Sequence, residues 1–149
     1  MKQRDQVAMT PAEIAILLAE SRKLQLATIN PDGTPHLVTM FYALLGGQIA
    51  FWTYRSSQKA CNLARDPRVT CLVEKGEDYF ELRGVQLNGV VRTVTDPAEV
   101  AAIGGRIAAS LPDLPGDALA DYVAQAARKR VGFIVEPTRL ASWDHRKLR

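Results

Sequence analysis

The run Arg55-Ser-Ser-Gln-Lys-Ala-Cys-Asn62 holds the side chains of this sequence best suited to chemistry. It follows an apolar, β-type segment, Ile49 to Tyr54, and opens a short helical segment that Asp66-Pro67 must end. Ser56 or Ser57 can cap that helix, which puts Gln58 and Lys59 in its first turn. The first N–H groups of a helix have no internal acceptor, and the aligned peptide dipoles make that end positive. Two hydroxyls, a guanidinium and an ammonium gathered there favour an anion, a phosphate group above all. The plainer alternative is an ordinary capped helix with solvated charges.

The rest of the chain offers little acid–base or metal chemistry. It has two histidines, and neither falls in a Ser-His-Asp arrangement. Cys61 and Cys71 lack the paired spacing of a zinc site and read as small buried residues, so no metal is expected. His36, Tyr42, Tyr54 and His145 are candidate proton donors, each with an ordinary structural reading beside it, and the catalytic residue stays unknown. Trp52 reads as core, whereas Trp143, in a basic tail, reads equally as packing or as cover for a ligand or subunit seam. The net charge of +3 is mild, and no helix-turn-helix, zinc finger or aromatic–basic platform accompanies it, which argues against nucleic acid. No apolar run approaches the roughly 20 residues that span a bilayer, and the N-terminus is polar, so a cytoplasmic protein without membrane contact is expected.

The elements that must position these groups follow from punctuation and period. The 149 residues fit one domain, residues 1–149. Thr10-Pro-Ala-Glu13 is a capping box, with Ile14, Leu17 and Leu18 as the apolar face of its helix. Leu24 to Ile29 reads as a strand, Asn30-Pro-Asp-Gly33 as a turn, and Pro35 to Leu45 as a second strand. Gly46-Gly47 turns into a third strand, Ile49 to Tyr54, which predicts a meander. Both faces of the second strand are apolar, so a ligand or a second subunit is expected on its outward face. Arg68 to Glu74 is a fourth strand, and Tyr79 to Thr95 a long β-type run in which Gly84 and Gly89 predict bulges or bends. Asp96-Pro-Ala-Glu99 opens a helix to about Leu111, with Pro112 as its stop; Asp117 to Lys129 is another helix, and Val131 to Val135 a last strand. These segments predict a mainly β fold, a six-stranded antiparallel barrel with flanking α-helices.

At this point the sequence resembles the pyridoxamine phosphate oxidase-like split β-barrel family, whose members bind flavins or deazaflavins. The matching residues are Thr53, Ser57, Lys59, Leu63 and Pro67 in the order strand-Thr-x-x-x-Ser-x-Lys-x-x-x-Leu-x-x-x-Pro, with Arg68 to Val73 and Leu82 to Val85 as the next strands. The resemblance implies that Thr53, Ser57 and Lys59 hold the cofactor phosphate, in line with the helix-end reading. Helix-end geometry adds Arg55, Gln58 and Asn62. The resemblance further places His36, Val38, Thr39 and Met40 against the cofactor ring, implies a homodimer with cofactors at the interface, and makes Trp143 a candidate cover for the partner's site.

One departure narrows the expectation. The oxidases proper carry a charged Arg-x-Val-Leu-Leu-Lys strand, where this chain has Leu37-Val-Thr-Met-Phe-Tyr42. The stretch Gln58 to Arg68 and the tail Ser142 to Lys147 are similar instead to the branch that uses coenzyme F420. The expected activity is hydride transfer from reduced F420 to an electron-poor small molecule such as a conjugated enone. Surplus Arg and Lys would suit the carboxylates of the F420 tail. FMN is the alternative cofactor, and a non-catalytic protein binding a cofactor or porphyrin is the alternative outside enzymes.

Overall fold

The computed structural model describes residues 1–111 and 116–149; the expected helix stop at Pro112 lies outside them. Among the described residues, seven strands form one antiparallel sheet in the order β2-β1-β5-β6-β7-β4-β3. The strands are β1 (Lys23–Ile29), β2 (Pro35–Phe41), β3 (Ala43–Leu45), β4 (Gln48–Tyr54), β5 (Arg68–Lys75), β6 (Arg83–Val94) and β7 (Arg130–Asp144). The helices are α1 (Gln3–Val7), α2 (Pro11–Glu20), α3 (Gln58–Arg65), α4 (Pro97–Ala109) and α5 (Gly116–Ala127).

The count differs from the six strands expected because Pro35 to Leu45 is two strands. β2 and β3 occupy opposite edges of the sheet, yet only Tyr42 separates them. Two residue steps span about 7 Å at most, so the sheet must curl until its edges nearly meet. Tyr42 holds that corner. It is buried, its N–H donates to the Arg22 carbonyl (3.0 Å), and its hydroxyl donates to the Leu18 carbonyl (2.6 Å). Two hairpins therefore form as expected, β1–β2 and β3–β4, but they do not continue as one meander.

Leu24, Leu26, Phe51, Cys71, Val73, Val85 and Phe133 fill the curl, and α2 closes one end with Leu17 and Leu18 beneath its complete Thr10–Glu13 capping box. β4 and β7 are apolar on both faces for a second reason. Ala50 and Ile134 point away from the barrel interior and pack under Val100, Ile103 and Ile107 of α4. A strand covered on both sides needs a near-continuous apolar run, as Ile49 to Trp52 and Val131 to Val135 supply.

Several local expectations change in detail. Gly89 marks a bulge at the Asn88/Gly89 register shift. Gly84 instead makes room for Trp143, whose indole would meet a Cβ there at 2.3 Å. Tyr79–Glu81 is a 3-10 turn, and the expected tail belongs to β7, paired with β6 up to the Asp144–Arg83 rung. Cys71 is buried, but Cys61 is exposed, because on α3 it faces away from the barrel while Ala60 and Leu63 face in. The N-terminal residues also form α1, whose segment docks on the C-terminal turn through the Gln6 side chain and the Lys147 carbonyl (3.3 Å). Among the described residues no helix is long and apolar enough to cross a membrane.

Candidate functional site

α3 starts at the mouth of a cleft. Ser57 is its N-cap, with its hydroxyl accepting from the Ala60 N–H (3.2 Å) and lying 3.2 Å from the Thr53 hydroxyl. The N–H groups of Gln58 and Lys59, first in the helix, have no intrahelical acceptor. Lys59 is half-buried, and among the described residues no carboxylate lies within ion-pair distance of it. The helix end thus presents two backbone donors without intrahelical acceptors, a positive dipole end, hydroxyls and, among the described residues, an ammonium with no ion-pair partner.

The cleft, about 430 Å3, gathers four predicted residues, Thr39, Met40, Thr53 and Lys59. It also brings in residues that sequence reasoning had not assigned to a site. Trp52, read as core, is half-buried and forms part of the lining with Phe41, Ile107, Tyr122 and Arg130, beside Tyr54, one of the candidate proton donors. The Arg130 guanidinium lies over Tyr54 (4.1 Å to the ring centroid) and Trp52 (4.9 Å), and donates to the Ala126 carbonyl (2.8 Å). Register explains the stack: Tyr54 and Arg130 are cross-strand partners, and Trp52 shares their face. The Trp52 ring lies against α4 only because Gly104 is there; a Cβ at that position would meet the ring at 2.2 Å. An adjoining depression of about 460 Å3 shares Tyr54, Tyr122 and Arg130 and adds Gln125, Arg128 and Lys129.

The remaining predicted residues lie elsewhere. Ser57 and Gln58 sit at the helix end without lining the cleft; His36 and Val38 precede the stretch Thr39 to Phe41 by which β2 lines it, and Val38 packs on the core. The Arg55 guanidinium is committed to the Arg128 carbonyl (2.6 Å), and its N–H to the Lys129 carbonyl (3.0 Å). Asn62 is fully buried, so it does not face a ligand. Trp143 covers Gly84, outside this cleft.

Of the candidate proton donors, Tyr42 is ruled out by position. Burial pushes its phenol up to about 12, and its hydroxyl is bound to Leu18 inside the core. His145 has its Nδ1 2.8 Å from the Tyr79 carbonyl, on the far end of β7, leaving Tyr54 as the earlier candidate that lines the cleft. A larger, open depression of about 650 Å3 lies on the outer face of β1, β5, β6 and β7. It contains none of the predicted ligands, and its Arg68 is already held by Asp66 (2.7 Å).

The sequence profile of the pyridoxamine 5'-phosphate oxidase family matches residues 10–144, and the chain belongs to that family. It is similar to a conserved hypothetical protein, Rv2991 from Mycobacterium tuberculosis, at 44% identity and a TM-score of 0.91, covering 99% of this chain and 92% of the other. It is also similar to an F420 reductase at 28% identity and a TM-score of 0.62, covering 85% and 94%. The haem storage protein HutZ from Vibrio cholerae shares the fold at 18% identity and a TM-score of 0.70, covering 89% and 94%. No curated protein matches the chain in sequence.

The donors fit a ligand with a flat apolar portion and an anionic arm. Met40, Phe41 and Trp52 supply apolar surface, α3 an electropositive helix end, and Arg130 a second fixed cation.

Proposed function

We propose that the chain is an F420-dependent oxidoreductase acting as a reductase on an electron-poor small molecule, a conjugated enone or a similar compound. The observation that carries this reading is one cleft holding an anion-binding helix end, an apolar strand face and a stacked arginine. When bound, reduced F420 supplies the hydride.

The chain's own residues bind, orient and exclude water. Lys59, the Thr53 and Ser57 hydroxyls and the free N–H groups of α3 hold the phosphate. Met40, Phe41 and Trp52 shed water from the faces of ring and substrate, which strengthens every polar contact left inside. Tyr54, held beneath the Arg130 guanidinium on the cleft lining, would be the chain's own proton donor to a bound substrate. Arg130, with Arg128 and Lys129 in the adjoining depression, gives more positive charge than one phosphate uses. That surplus supports F420, whose arm continues into carboxylates, over FMN, which ends at its phosphate.

The same proposal includes a homodimer. β2 is an edge strand whose outward Leu37 and Phe41 are 65% and 45% exposed, beside the cleft entrance. An apolar edge of this kind is stabilised when a second copy covers it, and that copy would complete the cleft wall. A cytoplasmic setting belongs to it too; both cysteines are free thiols.

Parallel fluorescence titrations with F420 and FMN test the reading. Tight F420 binding with weak FMN binding, followed by turnover of an enone, is the expected result. FMN preference would move the protein to the flavin branch. F420 binding without turnover of any acceptor, or a Soret band on haem addition, would favour a non-catalytic carrier.

A further inference from the structure

α3 has eight residues, too few to hold a geometry by themselves, so something outside the helix must fix where its first turn points. Its apolar contacts, Ala60 and Leu63, are non-directional. Asn62 is different. Its side chain is 0% exposed and its amide is saturated by three other side chains. Nδ2 donates to the Thr28 hydroxyl (3.0 Å) and to Asn30 Oδ1 (3.0 Å), and Oδ1 accepts from Gln58 Nε2 (2.8 Å). One turn later the Arg65 guanidinium donates to the Ile29 carbonyl. Three consecutive residues at the end of β1 thus accept from α3.

The far end of this network bears on β2, which also lines the cleft. Thr28 pairs with His36, and Asn30 closes the β1–β2 turn by accepting from the Gly33 N–H (2.9 Å) and donating its own N–H to the Thr34 carbonyl (2.9 Å). The strand leaving that turn is β2, which carries Thr39 and Met40 into the cleft. The near end holds Gln58, the first residue of α3, beside Ser57 and Lys59. A buried amide with every donor and acceptor used fixes both rotation and axial position, because any slip leaves polar groups unpaired in a dry environment.

We infer that Asn62 is a positioning residue that sets the anion-binding end of α3 against β2 without touching the ligand. This rests on the reading of α3 as the phosphate end of the cleft. Gln58 is the member of the chain that reaches that end, and Thr28 and Asn30 are its anchors.

The test compares ligand pairs that differ in the anionic arm: FMN against riboflavin, and F420 against its phosphate-free deazariboflavin chromophore. Affinities are measured by fluorescence quenching for the wild type, Asn62→Leu and Thr28→Val, with thermal melts alongside. Asn62→Leu is expected to lower the preference for the phosphorylated member about tenfold, the scale of one charge-assisted hydrogen bond, with the phosphate-free member bound as before. Thr28→Val removes only one distant hydroxyl and is expected to lower it about threefold. That variant keeps the amide in place, so it decides the matter if Asn62→Leu does not fold. Variants that keep the wild-type preference, or that weaken both members of a pair equally, would overturn the positioning role and leave the phosphate site standing. A wild type without preference in either pair would overturn the phosphate site and this inference with it.

Discussion

The two walls of the cleft are made by different means. On the α3 side the groups come from one short run, Thr53 to Lys59, gathered by a strand, a Ser cap and the first helical turn, and one buried network at Asn62 ties that turn to the end of β1. On the α4 side the groups come from β4, α4, α5 and β7, and nothing within any one of them indicates a site. Arg130 becomes a fixed cation because register sets it across from Tyr54, and Trp52 becomes a wall because Gly104 lets α4 close on it. The local wall depends on distant residues only through the Asn62 anchors; the assembled wall depends on them throughout.

The sharpest way to break the assembled wall is Gly104→Leu. Its side chain would enter the space of the Trp52 ring, displacing either the ring or the helix. A loss of about 3 kcal/mol in denaturant unfolding is expected, as for overpacking in a tight site. Unchanged stability with unchanged Trp fluorescence would show that the contact is not tight. For the local wall the matching change is Lys59→Ala. It should leave the melting temperature alone and weaken cofactor binding by about 2 kcal/mol, read by titration. An unaltered dissociation constant would remove α3 from the site.

Arg130→Gln sharpens the contrast further. It keeps a hydrogen-bonding side chain but loses the charge stacked on Tyr54 and Trp52. We expect about 1 kcal/mol weaker binding of F420, little change for FMN, and a shallower salt dependence of the F420 affinity. Equal losses for the two cofactors would mean that Arg130 serves the phosphate and not the arm beyond it.

Tyr42→Phe is the smallest change and probes the corner that brings the cleft strands together. Losing the bond to the Leu18 carbonyl should cost about 1 kcal/mol near neutral pH. Burial raises the phenol from 10.0 to about 12 in the folded chain. The neutral side chain therefore contributes its full stability below about pH 10, and that contribution is lost as the pH rises through about 12. Cys71, also raised by burial to about 12, acts in the same direction. Melting curves of the variant should thus fall less steeply with alkali than those of the wild type, without becoming flat.

Much of the fold was legible because its signals are local. Capping at Thr10 and Asp96, the Asn30 to Gly33 turn and the Gly46-Gly47 turn are each decided by neighbouring residues, and the structure has them all. Pro35 to Leu45 reads as one strand because nothing in its composition marks a corner. Tyr42 turns the chain there through Leu18 and Arg22, some twenty residues away along the chain. The same limit applied at Asn62, whose polarity and position near Lys59 suggested a ligand contact. Only the fold shows Thr28 and Asn30 waiting for its amide.

By itself the sequence determined that a positively charged helix end with a Ser cap and a lysine follows an apolar strand. Backbone donors at a helix start lack intrahelical acceptors whatever surrounds them, so that electropositive end could be read from eight residues. The tertiary structure decided what that helix end faces. The curl brings β2 beside β4, α4 closes over Trp52, and β7 delivers Arg130, all through contacts between residues far apart in the chain. Such contacts depend on register and packing, and no run of neighbouring residues encodes them.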